Sequence, residues 1–181
     1  MKKIIFSLFF VLIFNTSYAN TKVINSLHAG GKLVFIRHAL APGSGDPENF
    51  NIKDCLTQRN LSLAGVAQAK RIGQFFKDNN IPIDQVFSSE WCRCKDTAKN
   101  AFGNYKTFKA LNSYFSSRFL KNRDNQMKDL KAFAKNWDSK KNIVFVTHYV
   151  LISEIFNENV NSGTIIVADR NFKVIGMLET N

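Results

Sequence analysis

The sequence lacks the features that would place it in several large functional classes. Beyond its first twenty residues no stretch approaches the roughly 20 consecutive apolar residues a spanning helix needs, so nothing downstream reads as a membrane span. Its cysteines number three, Cys55, Cys92 and Cys94. No further Cys or His stands at a zinc-ligand spacing from the Cys-x-Cys pair, so no metal site is expected. There is no internal repeat, low-complexity tract or linker-like stretch between Thr21 and Asn181. The chain has 25 basic and 14 acidic residues and a formal net charge of +11. Its lysines are nevertheless scattered, and no basic run is interleaved with aromatics. That balance suits anionic ligands in general and gives no reason to expect a nucleic-acid partner.

What is present begins with a leader. MKKIIFSLFFVLIFNTSYAN has a short basic start at Lys2 and Lys3 and an apolar run from Ile4 to Phe14. A polar stretch follows, with the small residues Ser17 and Ala19 at the −3 and −1 positions of a cleavage site. This is the layout of a secretory signal peptide over residues 1–19, and the run is too short for a membrane anchor. Cleavage would remove two lysines and lower the net charge from +11 to +9. The expected product is an exported protein, periplasmic or secreted, forming a single domain over residues 20–181 with no membrane span after processing.

Within that domain the apolar runs 34–37, 85–89 and 142–148 read as strands buried on both faces. Ser62 reads as the N-cap of a helix carrying Ala64, Ala67, Ile72 and Phe75–Phe76 and ending near Asn79–Asn80. Further helices are predicted over about 90–102 and 125–137, and a terminal hairpin over 164–177 turning at Arg170–Asn171. Alternation of strands and helices of this length predicts an α/β fold, a three-layer α/β/α sandwich around a mostly parallel central sheet. The segment joining the first strand to the first long helix, about 39–61, is unusually long and begins directly after Arg37 and His38.

In open α/β sheets ligands bind beyond the carboxyl ends of the strands. The strand Leu33–Ile36 runs into Arg37 and His38, and the next ends in Ser88–Ser89 just before Arg93. A later strand ends in Thr147–His148, so two of the chain's three histidines and two arginines converge there. His28 has no such context and reads as structural. Two guanidiniums and two imidazoles with no carboxylate cluster suit a tetrahedral dianion better than a metal. Arginine forks match phosphate oxygens, and a neutral imidazole is a competent nucleophile near pH 7. Charge on a transferring phosphoryl group would be met by fixed cations, with no cofactor.

These residues resemble the histidine phosphatase superfamily in its phosphoglycerate mutase-like branch. FIRHA (35–39) is similar to the Arg-His-Gly signature, with Ala39 in place of the glycine. LSLAGVAQA (61–69), VFSSEWCRCKDTA (86–98) and FVTHYVLI (145–152) resemble the family's next three segments in order. The loop APGSGDPENF with DCLTQRNLS looks like that of a secreted subgroup of small phosphatases. The resemblance implies that His38 is the nucleophile that becomes phosphorylated, and that Arg37, Arg93 and His148 hold the phosphate. Arg59, in the TQRN stretch, is a further candidate for substrate binding.

Many members of the family carry a glutamate proton donor after the segment corresponding to 108–115, and this chain has no acid in YKTFKALNSYFSSRF. Asp46, on the loop leaving the nucleophile, and Glu90, beside Arg93, are the candidates. Glu90 would sit at a helix N-terminus, which favours its ionised form, so Asp46 is preferred as proton donor. A phosphohistidine protein, whose leaving group needs little protonation, is the other solution. The family has a small alanine where Cys94 stands, which implies that Cys94 packs inward. Of the two helix cysteines Cys92 is then favoured over Cys94 as the disulfide partner of Cys55, export making oxidation the expected state.

The expected activity is metal-independent phosphate monoester hydrolysis through a phosphohistidine on His38. The substrate would be a phosphorylated small molecule or a cell-envelope component. Alternatives are a phosphohistidine-protein phosphatase and a polyanion-binding module of the same fold that has lost turnover.

Overall fold

A computed structural model of the protein describes residues 20–180, and the signal peptide expected over 1–19 lies outside those described residues. The element order places the sheet strands β1 (Leu33–Arg37), β2 (Ile83–Ser88), β3 (Lys106–Thr107), β4 (Asn142–Thr147), β5 (Ile165–Ala168) and β6 (Val174–Leu178). Helix α1 is described over residues 20–28. It is followed by α2 (Leu63–Asp78), α3 (Cys92–Phe102), the single turn α4 (Ser117–Leu120), α5 (Arg123–Asn136) and α6 (Tyr149–Phe156).

The six strands lie in the order β3-β2-β4-β1-β5-β6. The pairs β2·β3, β2·β4 and β1·β4 are parallel, whereas β1·β5 and the terminal hairpin β5·β6 are antiparallel. The strands are apolar without alternation because both faces are covered. Val34, Ile36, Val144 and Val146 face one side and pack with Ile72, Phe76 and Ala98 of α2 and α3, and with Val23 and Leu27 of α1. Leu33, Phe35, Ile143 and Phe145 face the other and pack with Leu130 and Ala134 of α5 and with Leu151 and Ile152 of α6. Each buried Leu, Ile or Phe is worth roughly 1.5–3 kcal/mol of burial, so the two clusters fix the sheet between its helical layers.

Differences from the sequence reading lie at short or uniformly apolar segments. The stretch YVLISEIF forms α6, a helix not predicted from the sequence, directly after the strand read over 142–148. The two-residue edge strand β3 and helix α1 were not predicted. Helix α2 begins where expected, with the Ser62 hydroxyl accepting from Gly65 N–H at 3.1 Å. Gly65 itself is required by contact: a Cβ there would lie 2.0 Å from the Leu40 carbonyl oxygen. The start of α2 is thereby pressed onto the chain two residues after His38.

Candidate active site

The register of the central strands builds the site. Arg37 on β1 is the partner of Thr147 on β4, so His38 and His148 leave adjacent parallel strands side by side. His38 N–H donates to the Thr147 carbonyl at 2.9 Å, and Ser89 N–H donates to the Val146 carbonyl at 3.0 Å. Three strand ends are therefore level, and α3 starts from the third of them with Arg93 in its first turn.

The two histidine rings stand edge to face with centroids 5.5 Å apart. Both are buried, His38 at 2% exposure and His148 at 3%. His38 Nδ1 lies 2.8 Å from the Ala39 carbonyl oxygen. A carbonyl only accepts, so Nδ1 carries the ring proton, and Nε2 is the nitrogen left with a lone pair. Burial first, and then the Arg93 guanidinium, hold His38 well below the ordinary imidazole value. Burial and Arg93 do the same to His148, assisted by His38 itself. Both rings are neutral at pH 7, the state a nitrogen nucleophile requires.

Around them stand the guanidiniums. Arg37 donates from Nη1 to the Val160 carbonyl at 2.6 Å and sits 5.7 Å from the Tyr149 ring centroid. Arg93 is 3% exposed. The Nε atoms of both are buried with no hydrogen-bond partner in the protein. An unpaired buried donor costs on the order of 1–3 kcal/mol, and an oxyanion in the pocket would satisfy it. Arg59 lines the same pocket, but it donates from Nε to the Gly45 carbonyl at 2.8 Å and from Nη1 to the Ala41 carbonyl. It shapes the loop while adding positive charge. Among the described residues no group of three or more His, Cys, Asp or Glu is placed to hold a metal ion.

Asp46, expected from the sequence as the proton donor, does reach the pocket, where its surroundings favour the carboxylate. Its Oδ1 accepts from Arg93 Nη1 at 2.7 Å and Oδ2 from Trp91 Nε1 at 3.0 Å, with Arg59 N–H at 3.2 Å. Burial raises the carboxyl, yet these hydrogen bonds and the Arg93 charge outweigh it and hold Asp46 below the usual carboxylate range. At neutral pH it has no proton to donate. Its geometry is that of a clamp that aims Arg93. Glu90 lies outside the pocket lining and accepts from Asn112 Nδ2 at 2.7 Å.

The loop that brings Asp46 is tied down covalently. Cys55 and Cys92 form a disulfide with Cα atoms 5.7 Å apart, the pairing favoured from the sequence, and Cys94 is the buried free thiol. Gln58 Oε1 accepts from Cys92 N–H at 2.9 Å beside the bridge. The pocket has a volume of about 150 Å³. Residues that sequence reasoning did not single out complete it. Trp91 stacks on Phe50 at 5.1 Å and meets His148 at 5.4 Å. Arg118 lies over the rings of Phe119 and Phe50, at 4.7 and 5.0 Å, and Phe115 stands exposed at the rim. Asn112, also missed, contacts Ser89 and Glu90 behind His148. The signal for Ser89 was its place at a strand end, whereas nothing local marks Arg118.

The sequence matches the histidine phosphatase superfamily (branch 1) over residues 33–112. No curated protein matches it. Among solved structures the chain is similar to the protein histidine phosphatase SixA complexed with tungstate, at 13% identity and a TM-score of 0.53, covering 79% of this chain and 92% of that one. The putative phosphohistidine phosphatase SixA from Agrobacterium tumefaciens is similar at 18% identity and a TM-score of 0.54, covering 82% and 98%. The product of the open reading frame Rv3214 from Mycobacterium tuberculosis gives 16%, 0.55, 75% and 89% in the same order. At such identities the likeness to these structures is one of fold.

Proposed function

We propose that this chain, which belongs to the histidine phosphatase superfamily, is an exported phosphatase that hydrolyses phosphate monoesters through a phosphohistidine on His38. The observation that carries the reading is the His38 ring, neutral and buried, with Nδ1 bound to the Ala39 carbonyl and Nε2 free. Two guanidiniums, Arg37 and Arg93, line the same pocket, and their buried Nε–H groups lack partners. In this reading Nε2 attacks phosphorus, Arg37 and Arg93 gather charge on the equatorial oxygens, and water then releases phosphate from nitrogen. The SixA structure that holds tungstate, a tetrahedral oxyanion, supports a pocket of this kind on this fold. Export is supported by the leader-like start of the sequence and by the Cys55–Cys92 bridge.

A second reading, a phosphatase of phosphohistidine proteins, is favoured by the names of two similar structures and by the lack of a free carboxylic acid at the pocket. The test is release of phosphate from an aryl phosphate and from a phosphohistidine protein by the mature protein and its His38→Ala variant. Turnover of either substrate that vanishes in the variant supports a phosphatase, and the better substrate chooses between the readings. Activity retained without His38, or binding of phosphate with no turnover of either substrate, rejects both.

A further inference from the structure

Behind His148 lies a chain of hydrogen bonds that ends on a carboxylate, and its fixed donors and acceptors orient the groups in it. Asn112 Oδ1 lies 2.8 Å from Glu90 N, a backbone donor. Asn112 Nδ2 lies 2.7 Å from Glu90 Oε2, an acceptor. Both ends of the amide are thus oriented. Ser89 Oγ, 3.1 Å from Asn112 Oδ1, has an acceptor-only neighbour there and donates its single proton to it. Trp91 N–H approaches the same Oγ at 3.3 Å. The remaining bond, 2.8 Å between Ser89 Oγ and His148 Nε2, must then run from the imidazole to the hydroxyl. Neutral His148 therefore carries its proton on Nε2.

The Cys94 sulfur lies 3.4 Å from this Nε2 and 4.0 Å from the other nitrogen, Nδ1, whose one polar contact among the described residues it is. That thiol is pushed up to about 12 by burial and has the Thr147 carbonyl at 3.6 Å as an acceptor. The two rings of the pocket are thus held in opposite tautomers, His38 protonated on Nδ1 and His148 on Nε2. Each keeps one basic nitrogen. The arginines already supply fixed charge, Asp46 is held as a carboxylate, and the 108–115 segment delivers Asn112 in place of an acid.

We propose that Ser89, Asn112 and Glu90 are positioning residues that fix this tautomer, so that His148 Nδ1 carries the proton of the reaction in place of a carboxylic acid. The proposal rests on the phosphatase reading. A substrate monoanion, R–O–PO₃H⁻, gives its P–OH proton to His148 Nδ1. His38 Nε2 attacks phosphorus, the P–OR bond breaks, and the proton passes from Nδ1 to the leaving oxygen as ROH. The intermediate is an N-phosphoimidazolium that keeps its Nδ1–H on the Ala39 carbonyl. In the second half water attacks phosphorus and gives a proton to His148 Nδ1. The N–P bond breaks back to His38 Nε2, and that proton leaves with dihydrogen phosphate.

The experiment uses the mature protein with ¹⁵N-labelled histidine and the variants Asn112→Leu and Ser89→Ala. Two-bond and three-bond ¹H–¹⁵N spectra at neutral pH report which ring nitrogen is protonated. His148 should be the Nε2–H tautomer in the parent protein and lose that preference in Asn112→Leu, where the Ser89 hydroxyl is free to donate to Nε2. In parallel, kcat/KM for an alkyl phosphate should fall at least about 100-fold in either variant, the scale of lost proton transfer. Hydrolysis of a nitrophenyl phosphate, whose leaving group needs no proton, should change less than about 5-fold. An Nδ1–H signal for His148 in the parent protein overturns the proposal, as does an equal loss on both esters or no loss on the alkyl ester. If Asn112→Leu does not fold, Ser89→Ala alone decides on the ester comparison. A parent protein that hydrolyses neither ester overturns the phosphatase reading and the proton transfer with it. The spectra still report the tautomer in that case.

Discussion

Acidification should destabilise this protein through its two buried pocket histidines. In the unfolded chain His38 and His148 titrate near 6.5, whereas in the folded protein burial and Arg93 hold both well below that value. The folded state therefore binds fewer protons, and its stability falls as the pH drops below the unfolded value. The groups facing the rings are Arg93, Arg37 and Arg59, all cations that oppose protonation, and Asp46 is already paired with Arg93. With the folded rings neutral throughout, each histidine removes about 1.4 kcal/mol between pH 7.5 and 5.5, and the pair about 2.7 kcal/mol. That is a large share of the roughly 5–15 kcal/mol that holds a domain of this size together. Urea unfolding at the two pH values, in a buffer without phosphate or sulfate, measures it. The loss should shrink to well under half in a His38→Gln, His148→Gln double variant. A parent protein whose stability is flat over this window, or a double variant with the same loss, refutes the claim that these rings are buried neutral.

Arg93→Ala should cost roughly 3 kcal/mol in kcat/KM, the scale for one preorganised donor; a change under about threefold would place Arg93 outside the chemistry. Asp46→Asn should slow alkyl and aryl phosphates alike, because it loosens Arg93 rather than withholding a proton, and a selective effect on alkyl phosphates would restore Asp46 as the acid. Excess chelator should leave activity unchanged, and activity lost to chelator and restored by magnesium or zinc would reject catalysis by fixed cations alone. Removing the Cys55–Cys92 bridge, whose cysteines are 37 residues apart, should cost about 4 kcal/mol in the chain-entropy model. A Cys55→Ser, Cys92→Ser variant as stable as the parent in urea would contradict that.

Much of the sheet was legible because burial on both faces writes itself as uninterrupted runs such as IVFV at 143–146. The ends of those runs, Arg37–His38 and Thr147–His148, were equally plain, since charged and imidazole groups do not follow a buried strand by packing preference. Helix α6 was not legible. Its apolar residues continue those of β4 without a turn signal, and its length of 8 residues is within the range of a strand. Asp46 shows a different limit. Its sequence neighbours, glycines and a proline, describe a loop near the nucleophile, but not that Arg93 and Trp91, 47 and 45 residues away, would take up its carboxylate. The Ser89–Asn112 contact, bridging 23 residues, is hidden for the same reason. Partners that tertiary structure brings together leave no local pattern.

The central claim is that His38 Nε2 becomes phosphorylated. Rapid acid-free quenching of the mature protein with a ³²P-labelled phosphate ester, followed by peptide mapping under basic conditions, tests it most directly. The account predicts acid-labile, base-stable label on the peptide bearing His38, absent from His38→Ala and retained in His148→Ala. Label on His148, or turnover with no label on any histidine, would contradict it.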